Sequence, residues 1–494
     1  MPELYLPQLG RTIKCERGRN LYELLAEEGL IEAPCGGKGV CGKCRVLLDG
    51  AGVLSCCHTV ERSAEILLPQ AAGVSEIVSD GYMKEFRFVP KEGFGAAIDI
   101  GTTTVVAALY DLSSGRELDT LSRLNSQKIY GQDVISRIRH AADEADGLAQ
   151  LQQKITGDLN ELTTGLLARN GIRAEQVSSV VIAGNTTMIH LLAGRDPSSL
   201  ASAPYLPAFT GPLRFDAADI GLGLTEASVL CLPAIASYVG GDITAGMIAC
   251  GIDSGGPLTL LLDIGTNGEI VLAGNDKIYC CSCAAGPALE GMNISCGTRA
   301  SDGAIESVSI TDGAVVCRTI RDRPAGGICG SGLISAISAM LREGVIAPNG
   351  RFADHPLVSR SCGEKRVVLD AAHNIYLTQK DIRQVQLAKG ALLSGALTLL
   401  EASGHGEGDV SRVIVAGQFG AHLSADSITG CGILPKSWEQ KITYAGNTSK
   451  SGAAICLLSP EEADRCESLA GEARYIELSV KEGYEALFIK CLRF

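Results

Sequence analysis

The chain has 494 residues, of which 46% are hydrophobic, 20% charged and only 4% aromatic, with 59 glycines. This length exceeds one ordinary hydrophobic core and predicts two to four domains, and the glycine-rich, aromatic-poor composition favours compact α/β domains with tight turns. The formal net charge of −13 is spread along the chain without a basic run. Nucleic acid and an anionic membrane surface are therefore excluded as expected partners.

The chain carries no feature of export or membrane insertion. No stretch approaches 18 uninterrupted apolar residues, and the start MPELYLPQLGRTIKCERG lacks the order of a secretory signal. The 19 cysteines are diluted over a long chain rather than concentrated in a small secreted domain. We expect a cytoplasmic protein whose cysteines are mostly thiols, apart from those that hold a metal.

Residues 1–69 are predicted to form a separate module. Short alternating runs, an amphipathic helix over 21–28 and a closing run over 64–68 surround a glycine-rich cysteine loop. This mixture of short strands around one helix is typical of a β-grasp ferredoxin. Residues 70–93 show no clear periodicity and are predicted to be a linker.

Four cysteines in this module have iron–sulphur spacing. Cys35, Cys41 and Cys44 are separated by glycines that let the backbone curl around an inorganic core, and Cys56 is the predicted fourth ligand. Cys57 is the alternative fourth ligand, and zinc is the alternative metal. Zinc sites usually contain two C-x2-C pairs, whereas only one is present here, so a [2Fe–2S] cluster is favoured.

From residue 94 onwards a pattern of apolar strands and Gly or Thr turns occurs twice. AAIDIGTTTVVAALYD near residue 100 is echoed by LLLDIGTNGEIVLAG near residue 265, and VVIAGNTTM near 184 is echoed by VIVAGQFGA near 417. Two echoes in the same order predict two related halves, 94–257 and 258–494, with the second half carrying an insertion. A nucleotide is expected between them.

The repeated motifs provide the predicted nucleotide site. In each DIGT motif the Asp ends a buried strand, and the residues after it can hold phosphate oxygens through side chains and backbone N–H groups. Asp99 and Asp263 are predicted to face Mg²⁺ or its waters as catalytic residues. A plain β-hairpin turn is the alternative interpretation of a single DIGT motif. The predicted nucleotide-binding residues are Gly101, Thr102, Thr103, Thr104, Gly265, Thr266, Asn267, Gly268, Glu269, Gly417 and Gly420.

Several other polar and cysteine residues have weaker signals. Asp242 and Glu290 are candidates to orient an attacking water, although Asp242 could equally be a helix N-cap. His190 and His422 follow the two Ala-Gly motifs and are predicted to be structural. Core packing is the preferred role for six further cysteines: Cys280, Cys281, Cys283, Cys296, Cys317 and Cys329.

Longer motifs carry a specific family resemblance. They are NSQKIYGQDVISRI (125–138), YVGGDITAGMIA (238–249), CAAGPALEGMNISCGTRASDGAI (283–305), GGICGSGLISAI (326–337) and LTQKDIRQVQLAKGA (377–391). Residues 94–494 resemble the actin, hexokinase and heat-shock ATPase superfamily. The whole chain resembles the reductive activators of corrinoid proteins, which join a [2Fe–2S] ferredoxin to that duplicated, ribonuclease H-like fold.

This resemblance implies a function. Such activators use ATP to return an inactive Co(II) corrinoid to Co(I), with one electron passed through the [2Fe–2S] cluster. The implied cofactors are the cluster, ATP and Mg²⁺, and the implied partners are a corrinoid protein and an external low-potential electron donor, with a homodimer as one expected assembly. The alternatives are a small-molecule kinase of the actin fold and a nucleotide-dependent redox regulator with a ferredoxin arm.

Overall fold

The structure is a computed structural model that describes residues 2–28, 30–31, 44–68, 80–224, 226–361, 363–417 and 423–494. Within these residues it forms an N-terminal module and a larger two-lobed body. Of the predicted linker, residues 70–79 lie outside the described ranges, and residues 80–93 contain no helix and no named strand.

The N-terminal module contains one mixed sheet, in the order β2-β1-β5-β3-β4, with one α-helix packed on it. Its elements are β1 (Glu3–Leu6), β2 (Arg11–Lys14), α1 (Leu21–Glu27), β3 (Arg45–Leu48), β4 (Ala51–Leu54) and β5 (Ala64–Leu67). Helix α1 begins where the Asn20 side chain accepts hydrogen bonds from the backbone N–H groups of Tyr22 and Glu23. The predicted helix and closing strand are therefore present.

The first lobe is a six-stranded sheet in the order β10-β11-β9-β6-β7-β8. Its strands are β6 (Phe94–Ile100), β7 (Thr104–Asp111), β8 (Arg116–Leu124), β9 (Val177–Gly184), β10 (Leu213–Asp216) and β11 (Ser228–Cys231). One face is covered by α2 (Val134–Asp143), α3 (Gly147–Asn170) and α4 (Thr186–Leu192). Strands β6, β7 and β9 are buried along most of their length, as expected for a sheet covered on both faces.

The second lobe is built around another six-stranded sheet, in the order β22-β21-β12-β13-β14-β23. Its strands are β12 (Thr259–Ile264), β13 (Gly268–Gly274), β14 (Lys277–Cys283), β21 (Arg412–Ala416), β22 (Ile442–Gly446) and β23 (Arg474–Tyr475). Two small sheets are inserted between β14 and β21: β15 (Ala304–Thr311), β16 (Ala314–Thr319) and β17 (Gly327–Ile328), then β18 (Val358–Ser361), β19 (Glu364–Asp370) and β20 (Ile375–Thr378). The helices of this lobe are α6 (Gly330–Arg342), α7 (Gln379–Ser403), α8 (Ala425–Gly430), α10 (Pro460–Glu472) and α11 (Tyr484–Cys491).

The two large sheets share one topology. In each, an antiparallel three-strand meander is flanked by two parallel strands, so that β11-β9-β6-β7-β8 corresponds to β22-β21-β12-β13-β14. The register repeats as well, because Asp99 pairs with Ala183 and Asp263 pairs with Ala416 on the neighbouring parallel strand. The predicted duplication is therefore present, with the predicted insertion in the second half.

Two helices lie between the sheets. Helices α5 (Gly241–Cys250) and α9 (Thr448–Leu458) contact each other and share one hydrophobic cluster with strands of both lobes. Both helices are rich in Gly and Ala, which allows close packing; a Cβ on Gly452 would lie 2.0 Å from the backbone oxygen of Ala245. Among the described residues, no helix combines the length and the apolar character needed to cross a bilayer.

Candidate functional site

A cleft opens between the two lobes where the Asp-bearing strands end. The turn 101–103 joins β6 to β7, and the turn 265–267 joins β12 to β13, so each DIGT motif is indeed the turn of an antiparallel hairpin. Both turns line the same cleft, whose cavity volume is about 180 Å³. The DIGT motifs are therefore β-hairpin turns, as the alternative interpretation holds. A hairpin turn that lines the cleft can still bind phosphate.

Most of the predicted nucleotide-binding residues lie in this cleft. They are Gly101, Thr102, Thr103, Thr104, Gly265, Thr266, Asn267, Glu269 and Gly417, together with the two predicted catalytic residues Asp99 and Asp263. Gly268 begins strand β13, and a Cβ there would lie 2.9 Å from the Cys283 Sγ, so Gly268 faces the core of the second lobe. Gly420 and His422 lie outside the described residues.

Asp99 connects the first lobe to the start of helix α9. Its carboxylate accepts hydrogen bonds from the Asn447 Nδ2 at 2.9 Å and from the Ser449 Oγ at 2.7 Å. Burial raises the pKa of Asp99, and the hydrogen bonds from Ser449 and Asn447 oppose that shift. Asn447 is also the N-cap of α9, since its Oδ1 accepts from the Lys450 backbone N–H.

Asp263 has a different environment. Burial, followed by the nearby Asp99 charge, raises the pKa of Asp263 to about 7. A Cβ on Gly417 would lie 2.6 Å from the Asp263 Oδ1, and Gly417 has a φ of 89°. Only glycine fits at this position, because both its conformation and the approach of Asp263 exclude a side chain.

Two further carboxylates extend this negative charge. Burial, then the charges of Asp263 and Asp99, raises the pKa of Asp242 to about 7. Burial, then Asp242 and Asp263, raises the pKa of Glu269 well above its usual value. Asp242 lies in the first turn of α5 and Gly240 is the N-cap, so the N-cap alternative for Asp242 is wrong.

This arrangement fits a hydrated cation and phosphates. Within the described parts of the chain, no three acidic, Cys or His side chains are close enough to bind one ion directly. Mg²⁺ commonly keeps several waters and is held by one or two carboxylates together with substrate phosphates. The carboxylate oxygens of Asp99 and Asp263 are the hard ligands that such an ion requires.

The first turn is fixed from behind by the segment 125–138. The backbone oxygen of Gly101 accepts from the Asn125 Nδ2 at 2.9 Å, that of Thr102 from the Arg137 Nη2 at 2.5 Å, and that of Thr103 from the Asn125 backbone N–H at 2.9 Å. Because the C=O and N–H groups of a trans peptide point in opposite directions, holding these carbonyls back turns the N–H groups toward the cleft. These three hydrogen bonds give the segment 125–138 a structural role.

The second turn has a side-chain partner of its own. The Thr266 Oγ1 donates to the Glu290 Oε1 at 2.6 Å. Burial raises the pKa of Glu290, opposed by this hydrogen bond and by the charge of Arg299. Glu290 therefore lies in the cleft, where a residue that orients an attacking water has to be. Its carboxylate also fixes the Thr266 side chain.

Sequence reasoning missed several residues that line the cleft, in particular Asn185 and Asp133. The Asn185 Nδ2 donates to the Thr102 Oγ1 at 3.0 Å. The sequence contains a signal that could have identified Asn185, because the motif Gly184-Asn185-Thr186-Thr187 recurs as Gly446-Asn447-Thr448-Ser449. In both copies the Asn caps a helix and donates to the first turn or its Asp.

The predicted metal cysteines are described only in part. The Sγ atoms of Cys44 and Cys56 are 3.1 Å apart, and the Sγ of Cys57 is 3.8 Å from that of Cys56. Cys35 and Cys41 lie outside the described residues. Burial, then the hydrogen bonds with Cys44 and Cys57, raises the pKa of Cys56 to about 12. Two cysteines this close together can bind one metal centre once their thiols are deprotonated.

The remaining sequence candidates are structural. Cys280, Cys281 and Cys283 are buried in β14. His190 is buried, with its Nδ1 2.8 Å from the Thr186 backbone oxygen and its Nε2 accepting from the Ala208 N–H at 3.2 Å. The predicted core packing of these three cysteines and the predicted structural role of His190 are confirmed. Cys329 is buried as well, whereas Cys296 and Cys317 are half-buried and pack against the edge of the core.

Comparison with known proteins decides the family. A family model described as the C-terminal domain of RACo, the ASKHA domain, matches residues 257–494, and a model of the RACo middle region matches residues 94–255. The corrinoid activation enzyme RamQ of Eubacterium limosum is 35% identical over 403 residues, which cover 78% of this chain and 68% of that enzyme. The chain belongs to the reductive activators of corrinoid proteins.

Other members of this family support the assignment. The [Co(II) methylated amine-specific corrinoid protein] reductase of Methanosarcina barkeri is 25% identical over 437 residues, 80% of this chain and 76% of that protein. A solved reductive activator for corrinoid, iron-sulfur protein superposes with a TM-score of 0.74 at 29% identity and covers 100% of this chain and 98% of its own. This activator is thus a multi-domain α/β enzyme with an actin-like ATPase domain, and the kinase and regulator alternatives are disfavoured.

Proposed function

We propose that this activator reduces the Co(II) form of a corrinoid protein to Co(I) at the expense of ATP. The observation that carries the proposal is the inter-lobe cleft, where two phosphate turns and unneutralised carboxylates meet in a chain of the corrinoid-activator family. ATP supplies the γ-phosphate and Mg²⁺ the positive charge that these groups require.

The roles of the cleft residues follow from their positions. We assign the binding of phosphate oxygens to the N–H groups of the turn after Asp99 and to the side chains of Thr102 and Asn267, which line the cleft. We assign to Asp99 and Asp263 the role of orienting the waters of the cation from opposite lobes. Because Asp99 is also bonded to Asn447 of α9, a change in the phosphates between the turns is transmitted to the helices between the sheets.

We further propose that Cys35, Cys41, Cys44 and Cys56 hold a [2Fe–2S] cluster in a ferredoxin-like β-grasp module. Such a cluster, when bound, accepts and donates one electron at a time. The described part supports this assignment through the mixed sheet, its helix and the close approach of Cys44 and Cys56. Cys57, with its Sγ near Cys56, is the competing fourth ligand.

The reaction balances with an external reductant. One electron leaves the low-potential donor, passes through the N-terminal module and converts Co(II) to Co(I), while water cleaves the γ-phosphate of ATP in the cleft. ATP makes the transfer favourable only if nucleotide state changes how the corrinoid protein is held. The corrinoid protein and the donor are therefore the proposed partners, in the cytoplasm.

The direct test mixes the purified activator, a low-potential reductant and a Co(II) corrinoid protein under anaerobic conditions. We expect the Co(I) absorption to appear with ATP and to stay low without it. Equal Co(I) formation in both samples would overturn the proposal. Stoichiometric phosphorylation of an added small molecule would instead support the kinase alternative.

A further inference from the structure

Residues 80–91, here called the strap, run along the nucleotide-binding body and are hydrogen bonded to it through their backbone. Three of the side chains, Met83, Phe86 and Phe88, pack on the hydrophobic cluster between the two sheets. The Lys84 Nζ donates to the Glu462 Oε2 at 2.7 Å, and both side chains are mostly buried. The backbone bonds are Tyr82 N to Ala445 O at 2.7 Å, Lys84 N to Ala249 O at 2.8 Å, Val89 N to Leu458 O at 3.0 Å and Lys91 N to Leu112 O at 2.9 Å.

The first residues of the strap contact the turn that precedes α9. Gly81 and Gly446 form an antiparallel bridge, in which the Asn447 N–H donates to the Asp80 oxygen at 3.0 Å. A Cβ on Gly81 would lie 2.2 Å from the Asn447 oxygen, and a Cβ on Gly446 would lie 2.3 Å from the Asp80 oxygen. The two backbones therefore approach so closely that each position accepts only glycine.

This contact is one residue away from the nucleotide site. Asn447, whose N–H is held by Asp80, uses its Nδ2 to hold the Asp99 carboxylate. A displacement at the bridge therefore moves a hydrogen-bond partner of Asp99, and a displacement of Asp99 on nucleotide binding is passed back to the strap.

The strap is also where the N-terminal module is joined to the body. Every covalent path from residues 2–68 to the cleft passes through Asp80, because the chain is continuous. The module approaches the same phosphate turn from the other side as well, since helix α1 lies against the turn Ser126–Ile129. Asn125, next to that turn, holds the Gly101 carbonyl.

We propose that Asp80 and Gly81 are positioning residues of the nucleotide site, and that the strap transmits nucleotide state from Asp99 to the N-terminal module. The first half rests only on the contacts of Asp80, Gly81 and Asn447. The second half rests on the proposed function, because it assigns the module a role in electron delivery.

Hydrogen exchange tests the link without the corrinoid protein. The full chain is compared with and without Mg²⁺ and a non-hydrolysable ATP analogue. We expect the amides of residues 82–91 and of Asn447 to exchange about tenfold more slowly with the analogue, together with residues 101–104. Protection of residues 101–104 with no change in the strap would overturn the proposal. This hydrogen-exchange measurement tests the link between the nucleotide site and the strap even if the protein does not form Co(I).

Substitution tests the positioning role. In Gly81→Ala the new Cβ must separate the strap from Asn447, so we expect kcat for ATP to fall about tenfold with little change in KM. Arg87→Ala, an exposed substitution in the same strap, should keep wild-type kinetics. If Gly81→Ala does not fold, Tyr82→Pro removes the hydrogen bond to Ala445 without substituting any residue that lines the cleft. Wild-type ATP kinetics in the folded variant would overturn the positioning role.

The ratio of Co(I) formed to ATP hydrolysed separates positioning from transmission. We expect this ratio to fall in Gly81→Ala and to stay unchanged in Arg87→Ala, an effect that loss of stability alone does not produce. A lower ATPase rate with an unchanged ratio would support positioning and overturn transmission.

Discussion

At the level of single residues, the nucleotide cleft concentrates negative charge that only a proton or a bound cation can offset. Asp242 and Asp263 have raised pKa values because burial, and then the charges of neighbouring carboxylates, disfavour their ionised forms. Asp99 differs, because Ser449 and Asn447 donate to it. The cleft thus holds one carboxylate, Asp99, that is stabilised by two hydrogen bonds. Asp242 and Asp263 lie beside it and have raised pKa values.

Asp263 is the residue whose charge the nucleotide site needs most. In Asp263→Asn the shape is kept and the charge is lost, so we expect ATP turnover to fall by about 100-fold or more. The iron–sulphur absorption of the N-terminal module should be unchanged. Asp276→Asn, in the exposed turn between β13 and β14, is the matched control. Near-normal ATP turnover in Asp263→Asn would contradict the assignment.

The raised pKa values also predict a pH dependence. The folded, ligand-free protein keeps protons on Asp242 and Asp263 up to about pH 7, whereas the unfolded chain releases them near pH 4. The contribution of Asp242 and Asp263 to the free energy of unfolding is therefore full below about pH 4, and it is lost as the pH rises through about 7. Because Mg²⁺ requires the charged carboxylates, we expect its nucleotide complex to bind more tightly as pH rises from 6 to 7, by up to roughly 100-fold per pH unit if both protons are released.

Isothermal titration with Mg²⁺ and ADP across this range checks the pH dependence. Asp242→Asn, which removes one of the two protons, should show a shallower slope. An affinity that does not change between pH 6 and pH 8 in the wild type would show that these carboxylates do not titrate with binding.

The two adjacent cysteines allow a sharp test of the cluster ligands. Cys44 and Cys56 have sulphurs 3.1 Å apart, so we expect Cys56→Ser to lose the iron–sulphur absorption after anaerobic reconstitution. Cys57→Ser, one residue away and exposed, should keep it. The opposite pattern would make Cys57 the fourth ligand, and colour in both variants would exclude both.

At the level of elements, the segment 125–138 acts as a support for the first phosphate turn. Asn125→Asp keeps the acceptor for the Gln127 N–H but replaces the donor to Gly101 with a repelling oxygen. We expect KM for ATP to rise by about fivefold, since one hydrogen bond contributes about 1 kcal/mol. Ser126→Ala, in the same 3₁₀ turn but bonded to Asp158, is the control. An unchanged KM in Asn125→Asp would show that the carbonyl contact is dispensable.

The elements that the sequence predicted were those with local signals. The apolar strands before Asp99 and Asp263 and helix α1 each depend on a few neighbouring residues. The contacts between elements were not predictable in the same way. Asn447 and Asp99 are 348 residues apart in sequence, and only the duplicated topology brings them together. For the same reason, nothing local to residues 80–93 indicated that they would lie along α5 and α9.

At the level of the whole molecule, two related sheets enclose α5 and α9, and the phosphate turns of both sheets meet at one cleft. The N-terminal module joins this body next to the helix that holds Asp99. Nucleotide state and electron delivery can therefore be linked through short paths of backbone and side-chain contacts.

The central claim is that one chain couples its nucleotide cleft to its cysteine module. The most direct test is a single turnover: the activator is reduced, excess reductant is removed, and a Co(II) corrinoid protein is added with Mg²⁺ and ATP. We expect about one Co(I) per reduced cluster from the wild type, and almost none from Cys56→Ser, from Asp263→Asn or without ATP. Co(I) formation at the wild-type level in any of these three samples would contradict the account.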